Sequence, residues 1–218
     1  MKIKTFFDFC SGIGGGRLGL EQVGLQCVGR SETSRLADTT YCLMHNTEND
    51  VNYDNLKKIT ADKIPAFDLL IAGFPCQTFS VIGRQDGFSD DRGQIIFQLA
   101  RILRETQPKC FILENVKGLV THDKGKIDTR MNDLRIYTGK CPTLRAQRDG
   151  VLYVKKGAIY QLTGYEALLL QGFPKEYANK VKNEVTDRHL LMQAGNAMTV
   201  NVIRTLGNSI INFLNLQL

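Results

Sequence analysis

Cys76 stands just past a short apolar run, in Gly73-Phe74-Pro75-Cys76-Gln77-Thr78-Phe79-Ser80. A cysteine kept for packing sits inside such a run, as Cys110 does. Cys76 instead falls where open α/β sheets place their chemistry, outside the carboxyl end of a strand. A thiolate there is a nucleophile that can add to a substrate and later leave. Gly83, Gln85, Asp86, Gly87, Ser89 and Asp90 follow in a polar stretch, which is expected to be a loop able to move over a substrate. A half-buried, inert thiol is the alternative reading of the same residue. Glu114 closes a second apolar run in Leu113-Glu114-Asn115-Val116. An acid at that place either points into a ligand crevice or caps a turn.

A third group lies near the start of the chain, in Phe9-Cys10-Ser11-Gly12-Ile13-Gly14-Gly15-Gly16. Its glycines allow a tight turn and a close approach of backbone to a ligand. The helix expected after it offers free N–H groups, which bind a carboxylate as readily as a phosphate. Glu32 follows the next apolar run, where an acid takes ribose hydroxyls. Asp50 precedes Val51, where a third strand is expected to end, and is a candidate acceptor for an adenine amino group. A plain strand-to-helix turn explains the glycines alone.

Positioning these residues takes alternating strands and helices. Residues 4–9, 25–29, 68–72 and 109–113 read as strands, and 17–23, 35–44 and 93–105 as helices. In the last of these, Ile95, Ile96, Leu99, Ile102 and Leu103 share one face. Repeated β-α units imply a mostly parallel sheet with helices on both faces. Residues 121–150 are polar and aperiodic. Residues 151–155 and 158–162 flank Lys156-Gly157 as a hairpin. Thr163 and Glu166 form a capping-box signature for a helix over 164–171, and 199–216 reads as a closing helix.

Composition narrows the function classes. No run of ~18 apolar residues is present, as a membrane-spanning helix would need. The start of the chain lacks signal-peptide character, so cytoplasm is expected. The six cysteines contain no Cys-x-x-Cys pair, and no metal site is expected. His45, His122 and His189 have no ligand-like spacing. A net charge of +6 permits a nucleic-acid partner, but a solvated surface explains it equally.

Taken in order, these motifs resemble those of the cytosine-5 DNA methyltransferases: a glycine-rich loop, Pro75-Cys76-Gln77 and Glu114-Asn115-Val116. Gly83-Arg84-Gln85-x-Gly87-Phe88-x-Asp90-x-Arg92-Gly93 resembles that family's catalytic loop. Gln171-Gly172-Phe173-Pro174 resembles its ninth motif, and Gly195-Asn196-Ala197-x-x-x-Asn201-Val202 its tenth. The resemblance implies a Rossmann-like methyltransferase fold, S-adenosyl-L-methionine as cofactor and duplex DNA as partner. It implies Cys76 as the nucleophile and Glu114 as the acid gripping a flipped-out cytosine. It implies a cofactor pocket from Phe9, Cys10, Ser11, Gly12, Gly14, Gly15, Glu32, Asp50, Gly73, Pro75 and Asn196. DNA contacts would come from Gln77, Ser80, Gly83, Arg84, Gln85 and Arg92. The implied setting is bacterial restriction-modification or a phage.

The sequence departs from that pattern in two ways. Cys10 and Thr33 stand where the family often carries aromatic side chains that sandwich adenine. More importantly, Lys124-Gly125-Lys126 runs into residues resembling the far side of the recognition domain, so roughly 100 residues are missing. Residues 1–126 are then the cofactor and catalytic core, 127–162 a truncated recognition or linker region, and 163–218 helices that return to the cofactor domain. The gap has three readings: residues absent from the given sequence, a deletion, or a second chain that supplies recognition. Arg130, Arg135, Arg145 and Arg148 are phosphate-contact candidates or plain surface. A cofactor-binding remnant and an RNA cytosine methyltransferase remain as rival functions.

Overall fold

The structure is a computed structural model that describes residues 2–47, 50–74, 95–115, 141, 144 and 151–216. Four short apolar runs pair as a parallel sheet: β1 (Thr5–Phe9), β2 (Gln26–Ser31), β3 (Leu69–Gly73) and β4 (Cys110–Glu114), in the order β2-β1-β3-β4. Strand order reverses beside β1, so β1 and β3 are followed by helices on opposite faces of the sheet, and such sheets bind ligands at the carboxyl ends between them. Asp68 ties the amino ends together. Its carboxylate accepts from the Lys4 and Thr5 amides and pairs with Lys109 at 2.7 Å. Partial burial opposes its ionisation, but these bonds hold its pKa down to about 2.

Side-chain alternation sorts the sheet into two faces. Phe7, Phe9, Leu70 and Ala72 pack under α3 (Ile95–Thr106), which contributes Leu99 and Ile102. Phe6, Leu69 and Ile71 face α1 (Gly15–Glu21) and α7 (Val200–Asn215). A third cluster joins α2 (Arg35–His45) to α4 (Gly164–Leu170), α5 (Lys175–Val181) and α6 (Asp187–Asn196) around Met44, Leu168, Phe173 and Leu190. Helices thus cover both faces, as the β-α alternation implies. The expected capping box is present: Thr163 accepts from the Glu166 amide, and Glu166 accepts from that of Thr163. The hairpin is β5 (Leu152–Lys155) with β6 (Ala158–Gln161), and Leu152, Val154 and Ile159 are exposed on it.

Two helices differ from the sequence reading. Neither α5 nor α6 was expected. Lys175–Val181 is short and carries three charges, and Asp187–Asn196 buries only Leu190, Gln193 and Ala194. Tertiary packing rather than periodicity makes them helical.

His45 ends α2 and locks the β1–α1 turn. Its Nε2 lies 3.2 Å from the Ile13 carbonyl, and its ring packs on Tyr41 and edge-on to Tyr177 of α5. A Cβ on Gly14 would collide with the ring, and Gly14 has φ +81°. Burial, reinforced by the positive charge of Arg17, pushes the His45 pKa down to about 3. The ring is neutral in the folded chain and titrates near 6.5 when unfolded. Its contribution is therefore complete above about pH 6.5 and is lost as pH falls toward 3. Denaturant titrations of wild type and His45→Phe at several pH values test this. The variant should lose less stability between pH 7 and pH 4.5, by roughly 2–3 kcal/mol. Parallel losses would show that His45 is not the titrating group.

Candidate active site

The glycine loop leaves β1 through left-handed backbone at Cys10 (φ 51°), Gly12 (φ 55°) and Gly14. Several contacts pin it. The Ser11 amide donates to the Ser31 carbonyl at 3.1 Å. The Gly12 amide donates to Glu32 Oε2 at 2.9 Å, and the Ser34 amide to Glu32 Oε1 at 2.7 Å. Glu32 therefore ties the loop to the start of α2. Each of its oxygens keeps a second lone pair for a ligand. At Gly12 an added Cβ would meet nothing within 4 Å, so the loop is open on that side.

The other residues at this turn have distinct environments. Phe9 is fully buried and stacks on Phe7 at 4.3 Å, so only its backbone borders the loop. Gly15 serves helix packing, since a Cβ there would strike the Met198 carbonyl. Ser11 Oγ and both Asp8 oxygens are buried without a hydrogen-bond partner among the described residues. Burial drives the Asp8 carboxyl well above the usual range. Burial, with Glu32 and Asp8 nearby, pushes the Cys10 thiol up to about 12.

The third strand, near which Asp50 is the candidate, differs from the sequence reading. The third strand is reduced to a single parallel bridge between Arg30 and Asn52. Asp50 precedes that bridge instead of following a strand, and its carboxylate lies 3.9 Å from Arg17. Asp54 holds the place beyond the bridge. Asn52 Oδ1 accepts from the amides of both Glu32 and Asp54, each at 3.0 Å, while its Nδ2 donates to the Glu32 carbonyl. Ser31 Oγ donates to the Asp54 carbonyl at 2.6 Å. The backbone of Asp54, whose side chain is exposed, is thus level with Glu32 at the carboxyl edge. A strand this short leaves no periodicity to read, which is why the sequence misplaced its end.

The ends of β3 and β4 are joined. Asn115 Nδ2 donates to the Phe74 carbonyl at 3.0 Å. Glu114 lies across Gly73, where an added Cβ would be 3.3 Å from Glu114 Oε2 and from Met198 Cγ. Burial raises the Glu114 pKa above that of a free carboxyl, although the side chain keeps a solvent-exposed part. A neutral carboxyl can donate a hydrogen bond, which an ionised one cannot. Pro75, Cys76, Gln77, Ser80, Gly83, Arg84, Gln85 and Arg92 lie outside the described residues, as do Arg130, Arg135, Arg145 and Arg148.

The carboxyl-terminal segment closes the site through Gln171, which the sequence offers as part of a motif without showing what it holds. Gln171 Nε2 donates to the Ala194 and Ala197 carbonyls at 2.6 and 3.2 Å. Its Oε1 accepts from Thr199 Oγ1 at 2.7 Å, and its backbone carbonyl from the Val200 amide. This clamp sets Met198 against Gly15, Gly16 and Gly73. Asn196, exposed at the end of α6, is two residues upstream. No group of three or more metal-binding side chains, and no helix long and apolar enough to cross a membrane, occurs among the described residues.

Comparison with known proteins agrees with this geometry. A model of the C-5 cytosine-specific DNA methylases matches residues 4–151 and 130–212. The orphan methyltransferase M.SPRI of Bacillus phage SPR is 46% identical over 127 residues, covering 57% of this chain and 28% of that protein. The type II methyltransferase M.HpaII of Haemophilus parainfluenzae is 43% identical over 139 residues, covering 60% of this chain and 37% of that protein. The chain thus spans 28% and 37% of the length of these two relatives. The Entamoeba histolytica methyltransferase EhMeth superposes with a TM-score of 0.70 at 15% identity, covering 98% of this chain and 99% of that one. S. pombe Dnmt2 gives 0.64 at 16%, with 98% and 100% covered. At such identities these two structures speak for the fold, a Rossmann-like methyltransferase sheet. With a family model matched over nearly its whole length, the chain belongs to the C-5 cytosine-specific DNA methylase family.

Proposed function

We propose that this protein methylates C5 of a flipped-out cytosine in duplex DNA, with S-adenosyl-L-methionine as donor, Cys76 as nucleophile and Glu114 as acid. The observation that carries this reading is the junction at the ends of β3 and β4. There Asn115 holds the Phe74 carbonyl, two residues before Cys76, beside the Glu114 carboxyl, whose pKa partial burial raises. Cytosine C5 is a weak nucleophile. Addition of the Cys76 thiolate at C6 makes the ring an enamine, while Glu114 donates to N3 and accepts from the exocyclic amine. C5 of the enamine then takes the donor's methyl group as the S–CH3 bond breaks, and loss of the C5 proton to a base or water expels Cys76. The base must leave the stack first, at a cost of a few kcal/mol.

The residues present fit the cofactor. The open side of Gly12, the unpartnered Ser11 hydroxyl and the spare lone pairs of Glu32 offer donors and acceptors around one turn. When bound, the cofactor supplies an electrophilic methyl group. Glu32 would take the ribose hydroxyls, and Asp54, rather than Asp50, the adenine amino group. Pro75, Gly73 and Asn196 would complete the pocket, and Gln77, Ser80, Gly83, Arg84, Gln85 and Arg92 would meet DNA. Residues 1–126 would form the core, 127–162 a shortened recognition region and 163–218 the returning helices.

A second reading is compatible with the 28% coverage of M.SPRI and draws on the exposed Leu152, Val154 and Ile159 of the hairpin. On that reading the chain binds the cofactor but depends on recognition elements supplied from elsewhere. Duplex DNA carrying 5-fluorocytosine separates the two, because fluorine cannot leave C5 as a proton does. Wild type should form a covalent adduct, and Cys76→Ser none, with cofactor binding by calorimetry unchanged. Normal cofactor binding without any wild-type adduct would leave the second reading standing.

Glu114→Gln should slow trapping on the order of 100-fold or more. The wild-type rate should also fall as pH rises through the raised Glu114 pKa, and that limb should vanish in the variant. A pH profile shared by both proteins would remove Glu114 from the acid role. Asp54→Ala should weaken cofactor binding about tenfold, with Asp50→Ala within about twofold of wild type. The reverse order would return the adenine contact to Asp50.

A further inference from the structure

Helix α7 is more apolar than its place in the fold requires. Val200, Ile203 and Gly207 are buried, with Ile210, Ile211 and Leu214 packed on the same core. A helix lying on a core needs an apolar stripe of about 100°. Here a second stripe runs alongside the first. Val202, Leu206 and Phe213 are 55%, 43% and 60% exposed, and Leu216 is 86% exposed just past the helix end. With Ser209 they are spaced four, three, four and three residues apart. That is the seam of one helix packed along another. The two stripes together cover about 220° of the helix at 100° per residue.

Three features indicate what fits the seam. Its period calls for a helix. Its middle residue is small, with large residues on either side, and turning the pattern about Ser209 sets Val202 opposite Leu216 and Leu206 within one residue of Phe213. Arg204 is the only charged side chain on α7, so two copies could meet there without like charges opposed along the seam. Alongside the seam runs an open apolar groove of about 370 Å³ between Lys109 and Cys110 of the sheet edge and Leu206, Ile210 and Phe213 of α7. We propose that a second copy of this chain occupies this face, its α7 antiparallel to the first across a two-fold axis through Ser209. Phe213 of each copy then lies beside Leu206 of the other, over the groove. A contact along 16 helical residues and the groove would bury about 600–800 Å² per copy, the range of ordinary stable interfaces. The glycine loop and Glu114 lie at the other end of the fold from the seam's centre. The inference therefore does not rest on the catalytic reading.

Sedimentation equilibrium on the full chain, from about 1 to 100 µM, tests the proposal. Wild type should show twice the chain mass. Leu206→Glu with Phe213→Glu should raise the dissociation constant on the order of 100-fold. Both side chains are exposed, so circular dichroism and cofactor binding should stay at wild-type values. Ser209→Cys should form a disulfide between the two introduced thiols under mild oxidation, identified by peptide mass, and Thr205→Cys should not. A monomer at every concentration overturns the proposal, whatever then covers the seam. A dimer that survives the double substitution places the interface elsewhere and overturns it equally.

Discussion

Three glycines make room for one methionine, and most of the site depends on that arrangement. Gly15 admits the Met198 carbonyl, and Gly16 and Gly73 admit its side chain. A Cβ at Gly15 would stand 2.3 Å from that carbonyl oxygen, closer than any relaxed structure permits. Through this contact the end of the chain is fitted against its beginning. The same residue touches the glycine loop on one side and, on the other, Gly73 at the end of β3, across which Glu114 lies. Gln171 fixes the backbone on both sides of Met198, so the wedge is held by an amide side chain already satisfied in full.

The sequence and the structure agree best where chemistry and periodicity coincide. The strands before the glycine loop, before Pro75 and before Asn115 are short apolar runs ended by residues unsuited to continue them. Their positions were legible to within about two residues. The long amphipathic face of α3 was legible for the same reason. What escaped was decided by tertiary contact. The stretch 175–181 has little helical signal of its own and folds against α2, where Lys180 donates to the Met44 carbonyl. The third strand survives as one bridge, so its end is not legible in the sequence, and the backbone of Asp54, past the bridge, holds the level of Glu32.

His45 shows a further limit of spacing rules. Searched as a metal ligand it has no partners, and it carried no assignment. In the fold it is a neutral brace between α2, α5 and the glycine loop. Gln171 was recognised as part of a motif, but its action on three segments at once is a property of packing. The recognition region is least legible on both counts. Residues 121–150 have no period, and the chain spans 28% of the length of M.SPRI, so neither pattern nor likeness supplies what a reader of bases would need.

Cys10 borders the open side of the glycine loop, and burial there keeps its thiol protonated up to about pH 12. Thiols are poor nucleophiles in that form. A pocket built to hold an alkylating agent has, under the proposed reading, a sulfur atom in its wall. The same low-polarity setting that packs Cys10 against the sheet also makes it chemically silent. The enzyme would be spared alkylation of itself, and the transferable group would be left for the one thiol placed outside the apolar run.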